Sequence, residues 1–135
     1  MAKGKLIVLE GIDGSGKSAQ YRRLCARFDE AGMAYHHIVF PRYDQESSAL
    51  IRMYLNGAFG THPSDVNAYA ASTFFAVDRY ASYRTDWGEI YENGGLILSD
   101  RYTTSNAIHQ GSKLPEAELP AFFDWLYDLE YGKMG

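Results

Sequence analysis

The residues with the clearest chemical signature lie near the N-terminus, between Gly11 and Ser18. They form the complete pattern G-x-x-x-x-G-K-[ST] of a phosphate-binding loop. In such a loop the backbone N–H groups surround phosphate oxygens, Lys17 reaches the β- and γ-phosphates, and the Ser18 hydroxyl can ligate Mg²⁺. The sequence therefore predicts a site for a nucleoside triphosphate. The predicted phosphate-binding residues are Gly11, Asp13, Gly14, Ser15, Gly16, Lys17 and Ser18.

A second candidate segment is Asp100-Arg101-Tyr102, which follows the apolar run Leu96 to Ser99. The carboxyl ends of the strands in an open parallel sheet form the ligand crevice, so we expect this segment to lie near the loop. Asp100 can hold Mg²⁺ directly or through water, and Arg101 can neutralise charge on a transferred phosphoryl group. The alternative is that these two residues form an ordinary surface ion pair.

The surrounding pattern predicts the elements that would position these residues. Three short apolar runs predict strands, at Lys5 to Glu10, Tyr35 to Phe40 and Leu96 to Ser99. A strand, a helix and a strand of this length form a right-handed parallel unit, so the predicted fold class is α/β. Helical spacing and end signals predict helices at Lys17 to Ala31, Ser48 to Leu55, Ser64 (as N-cap) to about Asp86 or on to Glu92, Thr103 to His109 or Gln110, and Glu118 to Tyr131.

Composition narrows the class of protein further. The 135 residues suit a single domain, residues 1–135, and the net charge of −4 without a basic stripe argues against a nucleic-acid partner. Cys25 is the only cysteine, which excludes an internal disulfide. No apolar run approaches the ~20 residues that a membrane span requires, so we expect no membrane partner and a cytoplasmic location.

Several motifs together resemble thymidylate kinase. They are the loop with aspartate at its third position, Phe40-Pro41-Arg42, Phe75 with Arg79, and Asp100-Arg101-Tyr102 followed by Ser105-Asn106. The resemblance covers essentially the whole chain. It implies a P-loop NTPase-type parallel sheet flanked by helices, ATP and Mg²⁺ as cofactors, transfer of the ATP γ-phosphoryl group to dTMP, and a homodimer.

The resemblance also implies roles for the residues that bind the acceptor. Asp13 corresponds to an aspartate that contacts the 3′-hydroxyl of the deoxyribose. Phe75 matches the aromatic residue that stacks on thymine, and Arg79 matches the arginine that hydrogen-bonds the base carbonyl. Phe40 and Arg42 lie at the strand end where the family holds the monophosphate.

Further roles follow from the segment after the third strand. Arg101 matches the arginine that contacts the transferring phosphoryl group, which makes Lys17, Arg101 and Asp13 the implied catalytic residues and Ser18 and Asp100 the metal ligands. Ser105 and Asn106 match polar residues near the base. His109 stands where many members carry a tyrosine beside the sugar, a departure that bears on deoxyribose selectivity.

Two further departures limit what the resemblance implies. Gly14 stands where some members carry a loop arginine, and members without it resemble a type in which a mobile lid later in the chain supplies that arginine. The sequence ends at Gly135, before the family's lid and last strands, so we expect an incomplete fold with the first strand at an exposed sheet edge. If the chain truly ends at Gly135, we expect the acceptor pocket to be largely present and phosphoryl transfer to be slow or absent.

Two other functions remain open from the sequence. A kinase for another nucleoside or nucleoside monophosphate would use the same loop and the same Asp-Arg pair, and would turn over acceptors other than dTMP. A non-catalytic nucleotide-binding module would bind without turnover, and Lys17→Ala would then weaken nucleotide affinity without abolishing a reaction.

Overall fold

Three parallel strands form the sheet from which the phosphate-binding loop emerges. In the computed structural model, which describes residues 2–12 and 14–135, they are β1 (Lys5–Leu9), β2 (His36–Val39) and β3 (Leu96–Asp100). Their order is β1–β3–β2, and β3 pairs in parallel with both neighbours. The central position of β3 explains why residues 97–99 are fully buried. The predicted parallel α/β sheet is confirmed, and each strand end differs from the prediction by at most one residue.

Strand β1 lies at an edge of the sheet that the described residues form. This is the position predicted for it from the sequence. Its residue Ile7 is 36% exposed, whereas Leu98 of β3, its partner in the register, is fully buried.

The helices of the described residues largely follow the predicted spacing. They are α1 (Lys17–Glu30), α2 (Ala49–Leu55), α3 (Ala68–Ser82), α4 (Gly88–Glu92), α5 (Thr103–Gly111) and α6 (Leu119–Tyr127). Single 3₁₀ turns lie at Glu46–Ser48, Pro63–Asp65 and Glu116–Glu118, and π-helical turns lie at Tyr83–Trp87 and Asp128–Lys133. Within residues 2–12 and 14–135, no helix combines the length and the apolar character needed to cross a membrane.

The long helix predicted to start at Ser64 differs most from the structure. Ser64 lies in a 3₁₀ turn, and α3 starts at Ala68 because the Asn67 carboxamide oxygen accepts the Ala70 N–H at 2.8 Å. The prediction of Ser64 as N-cap was therefore wrong. The chain then passes through the π-helical turn before α4 begins at Gly88. A Cβ at Gly88 would collide with the carbonyl oxygen of Tyr83, so the wide turn requires glycine there.

The chain divides into two units, and the sheet belongs to the first. Unit 1 consists of residues 1–40 and 82–102, and unit 2 consists of residues 41–81 and 103–135. The core of unit 1 contains Ile38, Phe40, Trp87 and Ile97. The Phe40 and Trp87 rings both meet the ring of Tyr102 edge-on, with centroids 5.5 and 6.0 Å away. These contacts fix the chain just beyond the ends of β2 and β3.

Unit 2 is helical and has a separate core. Ala68, Ala107, Phe122 and Leu126 are buried together, so that α3, α5 and α6 each contribute to it. Pro120 lies in the first turn of α6, where its missing N–H leaves no helical hydrogen bond unmade. Helix α6 therefore starts one residue after the Glu118 start predicted from the sequence.

Tyr21 attaches α1 to the central strand. Every residue of α1 is described, and Tyr21 is the only one of them that is buried. Its hydroxyl donates to the carbonyl oxygen of Leu98 at 2.8 Å. The same hydroxyl lies 2.5 Å from Nδ1 of His37. Burial raises the pKa of Tyr21 above its usual value, so the phenol stays protonated as a donor. The helix that follows the phosphate-binding loop is thereby held on the sheet.

We predict that Tyr21→Phe lowers the free energy of unfolding by about 0.5–1.5 kcal/mol, because the Leu98 carbonyl loses the hydroxyl as a donor while the ring is kept. Urea unfolding followed by circular dichroism measures this change. Tyr43→Phe is the matched control, since Tyr43 is 54% exposed. An equal effect of the two substitutions would contradict the anchoring role of the Tyr21 hydroxyl.

Candidate functional site

The phosphate-binding loop connects β1 to α1 and depends on two left-handed glycines. Gly14 has φ +81° and Gly16 has φ +88°, a conformation that costs side chains with a Cβ. Gly16 is the N-cap of α1 and has no side chain to accept the first N–H groups of the helix. Those donors and the positive end of the helix dipole suit an anion. Asp13 lies outside the described residues, so its predicted roles stay predictions.

A cavity of about 410 Å³ opens at this loop. Its lining consists of Ile12, Gly14, Gly16, Lys17, Ser18 and Ala19. The Ser15 N–H donates to the Ile12 carbonyl at 3.1 Å, and the Ser15 hydroxyl lies against Gly11, where a Cβ would not fit. The described residues of the loop thus leave a cavity next to a helix N-terminus, which has the geometry of a phosphate site.

Lys17 and Asp100 come together at the end of the sheet. The Lys17 ammonium group contacts the Asp100 carboxylate, and their side chains are 10% and 19% exposed. Asp100 is the last residue of β3 and pairs in the register with Leu9 of β1. The parallel pairing of β1 with β3 thus places the carboxylate beside the loop, as expected from the sequence.

Arg101 has a strained backbone. Its φ is +70°, and no other non-glycine residue in the described part of the chain has a positive φ. The corner is held because the Arg101 N–H donates to the Leu9 carbonyl at 3.0 Å and the Tyr102 N–H donates to the Glu10 carboxylate at 2.9 Å. Strain of this kind persists where surrounding contacts determine it and is common at functional sites. Glu10 was missed from the sequence, although a carboxylate directly before the loop was a usable signal.

Arg42, in unit 2, is held by a buried carboxylate. Asp78, on α3, accepts the Arg42 backbone N–H at 2.8 Å and its Nε–H at 3.2 Å. Ser47 donates to the same carboxylate at 2.6 Å and accepts from the Arg42 guanidinium at 3.0 Å. The arginine predicted to hold the monophosphate is therefore fixed at both its backbone and its side chain.

Arg79 and Asn106 are also brought together in unit 2. Arg79 is 4% exposed and is gripped by both carboxylate oxygens of Glu130, the second at 2.9 Å from the guanidinium. The guanidinium also donates to the Asn106 carboxamide oxygen at 2.9 Å, and Asn106 in turn donates to the Ser72 hydroxyl at 2.8 Å. Ser72 donates to the backbone at 2.6 Å. This hydrogen-bond chain fixes which end of the Asn106 amide faces Arg79.

The other residues predicted to bind the acceptor nucleotide differ in their burial. Phe75 is half-buried one turn before Arg79 on α3, and the Tyr54 ring meets it edge-on at 6.3 Å. Ser105 is buried on α5 beside Asn106, whereas His109, one turn after Ser105, is exposed. Phe40 is 5% exposed and belongs to the core of unit 1. Core packing therefore accounts for the burial of Phe40, and its predicted role at the acceptor stays a prediction.

Asp78 and Glu130 are the main residues of the site that sequence reasoning missed. Glu130 follows the buried residues Phe122 and Leu126 at steps of four, so it extends their apolar stripe. Asp78 lies between Ala76, which is 1% exposed, and Arg79. A carboxylate on an apolar helix face indicates a buried ion pair, and this signal was present in the sequence.

Comparisons with known proteins match the chain to one family. The sequence model of the family described as thymidylate kinase matches residues 9–120. The thymidylate kinase of Mycobacterium tuberculosis is 34% identical over 131 residues, which are 96% of this chain and 60% of that protein. The human thymidylate kinase is 32% identical over 111 residues, covering 82% of this chain and 50% of that protein.

A solved structure of thymidylate kinase from Candida albicans has a similar fold. It superposes with a TM-score of 0.65 at 27% identity, covering 93% of this chain and 56% of that one. This chain belongs to the thymidylate kinase family. It spans about 50–60% of the length of the curated thymidylate kinases quoted above.

The family match contains the predicted site residues from Gly11 to His109. Glu130, which grips Arg79, lies beyond the matched range. The contact between Glu130 and Arg79 is therefore seen in the structure but lies partly outside the residues that the family match covers.

Proposed function

We propose that this chain acts as a thymidylate kinase, transferring the γ-phosphoryl group of ATP to dTMP to give dTDP and ADP. The observation that carries the proposal is the complete phosphate-binding loop, with Lys17 meeting Asp100 at the end of β3, in a member of the thymidylate kinase family. The acceptor is assigned by the residues that the resemblance places around thymine.

On the donor side, the cavity at the loop suits the phosphates of ATP. The N–H groups of the loop and of the first turn of α1 would bind phosphate oxygens, with Lys17 at the β- and γ-phosphates. Arg101, on its strained corner, would contact the transferred group. Ser18 and Asp100 offer the oxygen ligands that Mg²⁺ prefers, so they fit this ion. When bound, Mg²⁺ would neutralise phosphate charge.

On the acceptor side, unit 2 offers groups for both ends of dTMP. Phe75 would stack on the base, Arg79 would donate to a base carbonyl, and Asn106 would read the ring nitrogen. Arg42 would bind the 5′-phosphate as a planar fork of donors. The remaining proposed contacts are those of Asp13 with the 3′-hydroxyl, Ser105 near the base, His109 beside the sugar, and Phe40 at the strand end.

Phosphoryl transfer to dTMP requires little covalent catalysis by the protein. The phosphate of dTMP is already ionised, so no strong general base is required. Catalysis then consists of holding two anionic substrates in position and neutralising their charge, which Lys17 and Arg101 do as cations. We also propose that the protein works as a homodimer in the cytoplasm, as the family resemblance implies.

The test is ADP release by the protein with ATP and Mg²⁺, comparing dTMP with dUMP, thymidine, dCMP and AMP. Stimulation by dTMP above the other acceptors supports the proposal. Preferred turnover of another acceptor would identify a different kinase. Binding of nucleotide without turnover of any acceptor would indicate a non-catalytic module and contradict the proposal.

A further inference from the structure

Asp78 is a buried carboxylate to which neither the sequence motifs nor the family resemblance assigns a role. Its side chain is 1% exposed, on α3 between Ala76 and the base-reading candidate Arg79. A carboxylate in such a position is costly unless it is paired and hydrogen-bonded. The contacts that Asp78 makes must therefore compensate the cost of burying its carboxylate.

Those contacts converge on one residue, Arg42. One carboxylate oxygen of Asp78 accepts the Arg42 backbone N–H at 2.8 Å, and the other accepts the Nε–H of its side chain at 3.2 Å. Ser47 completes the arrangement, donating to Asp78 at 2.6 Å and accepting from the Arg42 guanidinium at 3.0 Å. Backbone and side chain of Arg42 are thus tied to the same rigid helix.

The arrangement selects one edge of the Arg42 guanidinium. Nε and one terminal nitrogen face Asp78 and Ser47, so the edge that includes the other terminal nitrogen is directed away from them. The Arg42 side chain is 14% exposed, so it is largely withdrawn from water but not sealed. An arginine held in this way offers its planar donors to a phosphate without first losing side-chain entropy.

We propose that Asp78 is a positioning residue that fixes Arg42 for the 5′-phosphate of the acceptor nucleotide. The inference rests on the proposed function, since it takes dTMP as the acceptor. Asp78 itself does not contact the substrate. Through Arg42 it affects binding of the phosphate end of dTMP and not binding of the base end.

Thymidine, which lacks the phosphate, separates this role from a general structural one. We would measure binding of dTMP and of thymidine by calorimetry for the wild type, Asp78→Asn, Arg42→Ala and the double variant. Asp78→Asn is expected to weaken dTMP binding about tenfold or more while thymidine binding changes by less than about twofold. In the Arg42→Ala background, Asp78→Asn is expected to have no further effect on dTMP.

Two further variants complete the experiment, one as a second test and one as a control. Ser47→Ala removes two hydrogen bonds of the arrangement, one to Asp78 and one from Arg42, but leaves the Asp78–Arg42 ion pair in place. It should give a smaller loss of the same selectivity even if Asp78→Asn does not fold. Asp124→Asn removes an exposed carboxylate from α6 and should change neither affinity.

Equal weakening of dTMP and thymidine by Asp78→Asn would overturn the positioning role. So would additive effects of Asp78→Asn and Arg42→Ala, or unchanged dTMP binding in the folded Asp78→Asn and Ser47→Ala variants. A wild-type protein that binds neither ligand would overturn the proposed function and this inference with it. A wild-type protein that binds both would leave the proposed acceptor standing whichever way the variants behave.

Discussion

Replacing Lys17 with alanine is expected to lower the rate of ADP formation from ATP and dTMP by about 100- to 1,000-fold, the cost of removing one preorganised donor from a developing charge. Lys17 is the cation that the loop pattern places at the β- and γ-phosphates. Its side chain is 10% exposed and contacts Asp100, and it is the only Lys or Arg between Gly11 and Ser18 in the sequence. Steady-state kinetics at saturating ATP isolates the effect on the chemical step from weaker ATP binding.

The control for Lys17→Ala is Arg22→Ala, which removes an exposed cation from the same helix. It should leave the rate of ADP formation unchanged. Because Lys17 pairs with Asp100, circular dichroism spectra of both variants must first show wild-type helix content. A folded Lys17→Ala protein with wild-type turnover would contradict the assignment of the loop as the donor site.

Glu130→Ala is expected to lower the free energy of unfolding by about 3–5 kcal/mol, the typical cost of removing one partner from a buried ion pair. Arg79 is 4% exposed, and its guanidinium pairs with both carboxylate oxygens of Glu130. Without Glu130 the guanidinium keeps the Asn106 carboxamide oxygen but loses this buried ion pair. Urea unfolding of the protein, followed by circular dichroism, measures the loss.

Asp128→Ala is the matched control in the same π-helical turn. Asp128 also pairs with a cation, Lys133, at 3.2 Å, but the two side chains are 58% and 71% exposed. An exposed pair of this kind contributes less than about 1 kcal/mol. If Glu130→Ala and Asp128→Ala destabilise equally, the Arg79–Glu130 pair does not have the structural role that its burial indicates.

The parts of the fold that were predictable from sequence are those determined by local pattern. The loop between Gly11 and Ser18, the three strands and the start of α5 at Thr103 each follow from spacing within a short segment. Pro120 marked the first turn of α6 for the same reason, since its fixed φ and missing N–H suit that position. The order of the strands confirmed the expected edge position of β1.

The interruption of the long helix predicted from Ser64 was not predictable in this way. Asn67 and Ser64 are both good N-cap residues, and only the three-dimensional path of the chain selects Asn67. The π-helical turn at Tyr83–Trp87 has no local sequence pattern beyond the glycine that follows it.

The partners of the site residues were the hardest to foresee. Arg79 and Glu130 are 51 residues apart in the sequence, and Arg42 and Asp78 are 36 apart. Pairing over such distances depends on how distant segments of the chain pack, which spacing within one segment does not determine. The site residues proposed from the sequence stay predictions, whereas the groups that orient them required the structure.

Transfer of the label from [γ-³²P]ATP to dTMP tests the central claim most directly, because it identifies the product as well as the consumption of ATP. With Mg²⁺ and the wild-type protein, labelled dTDP should form, and Lys17→Ala should reduce its formation to near the level without protein. Labelled inorganic phosphate without labelled dTDP, or label appearing instead in another acceptor, would contradict the claim that this chain phosphorylates dTMP.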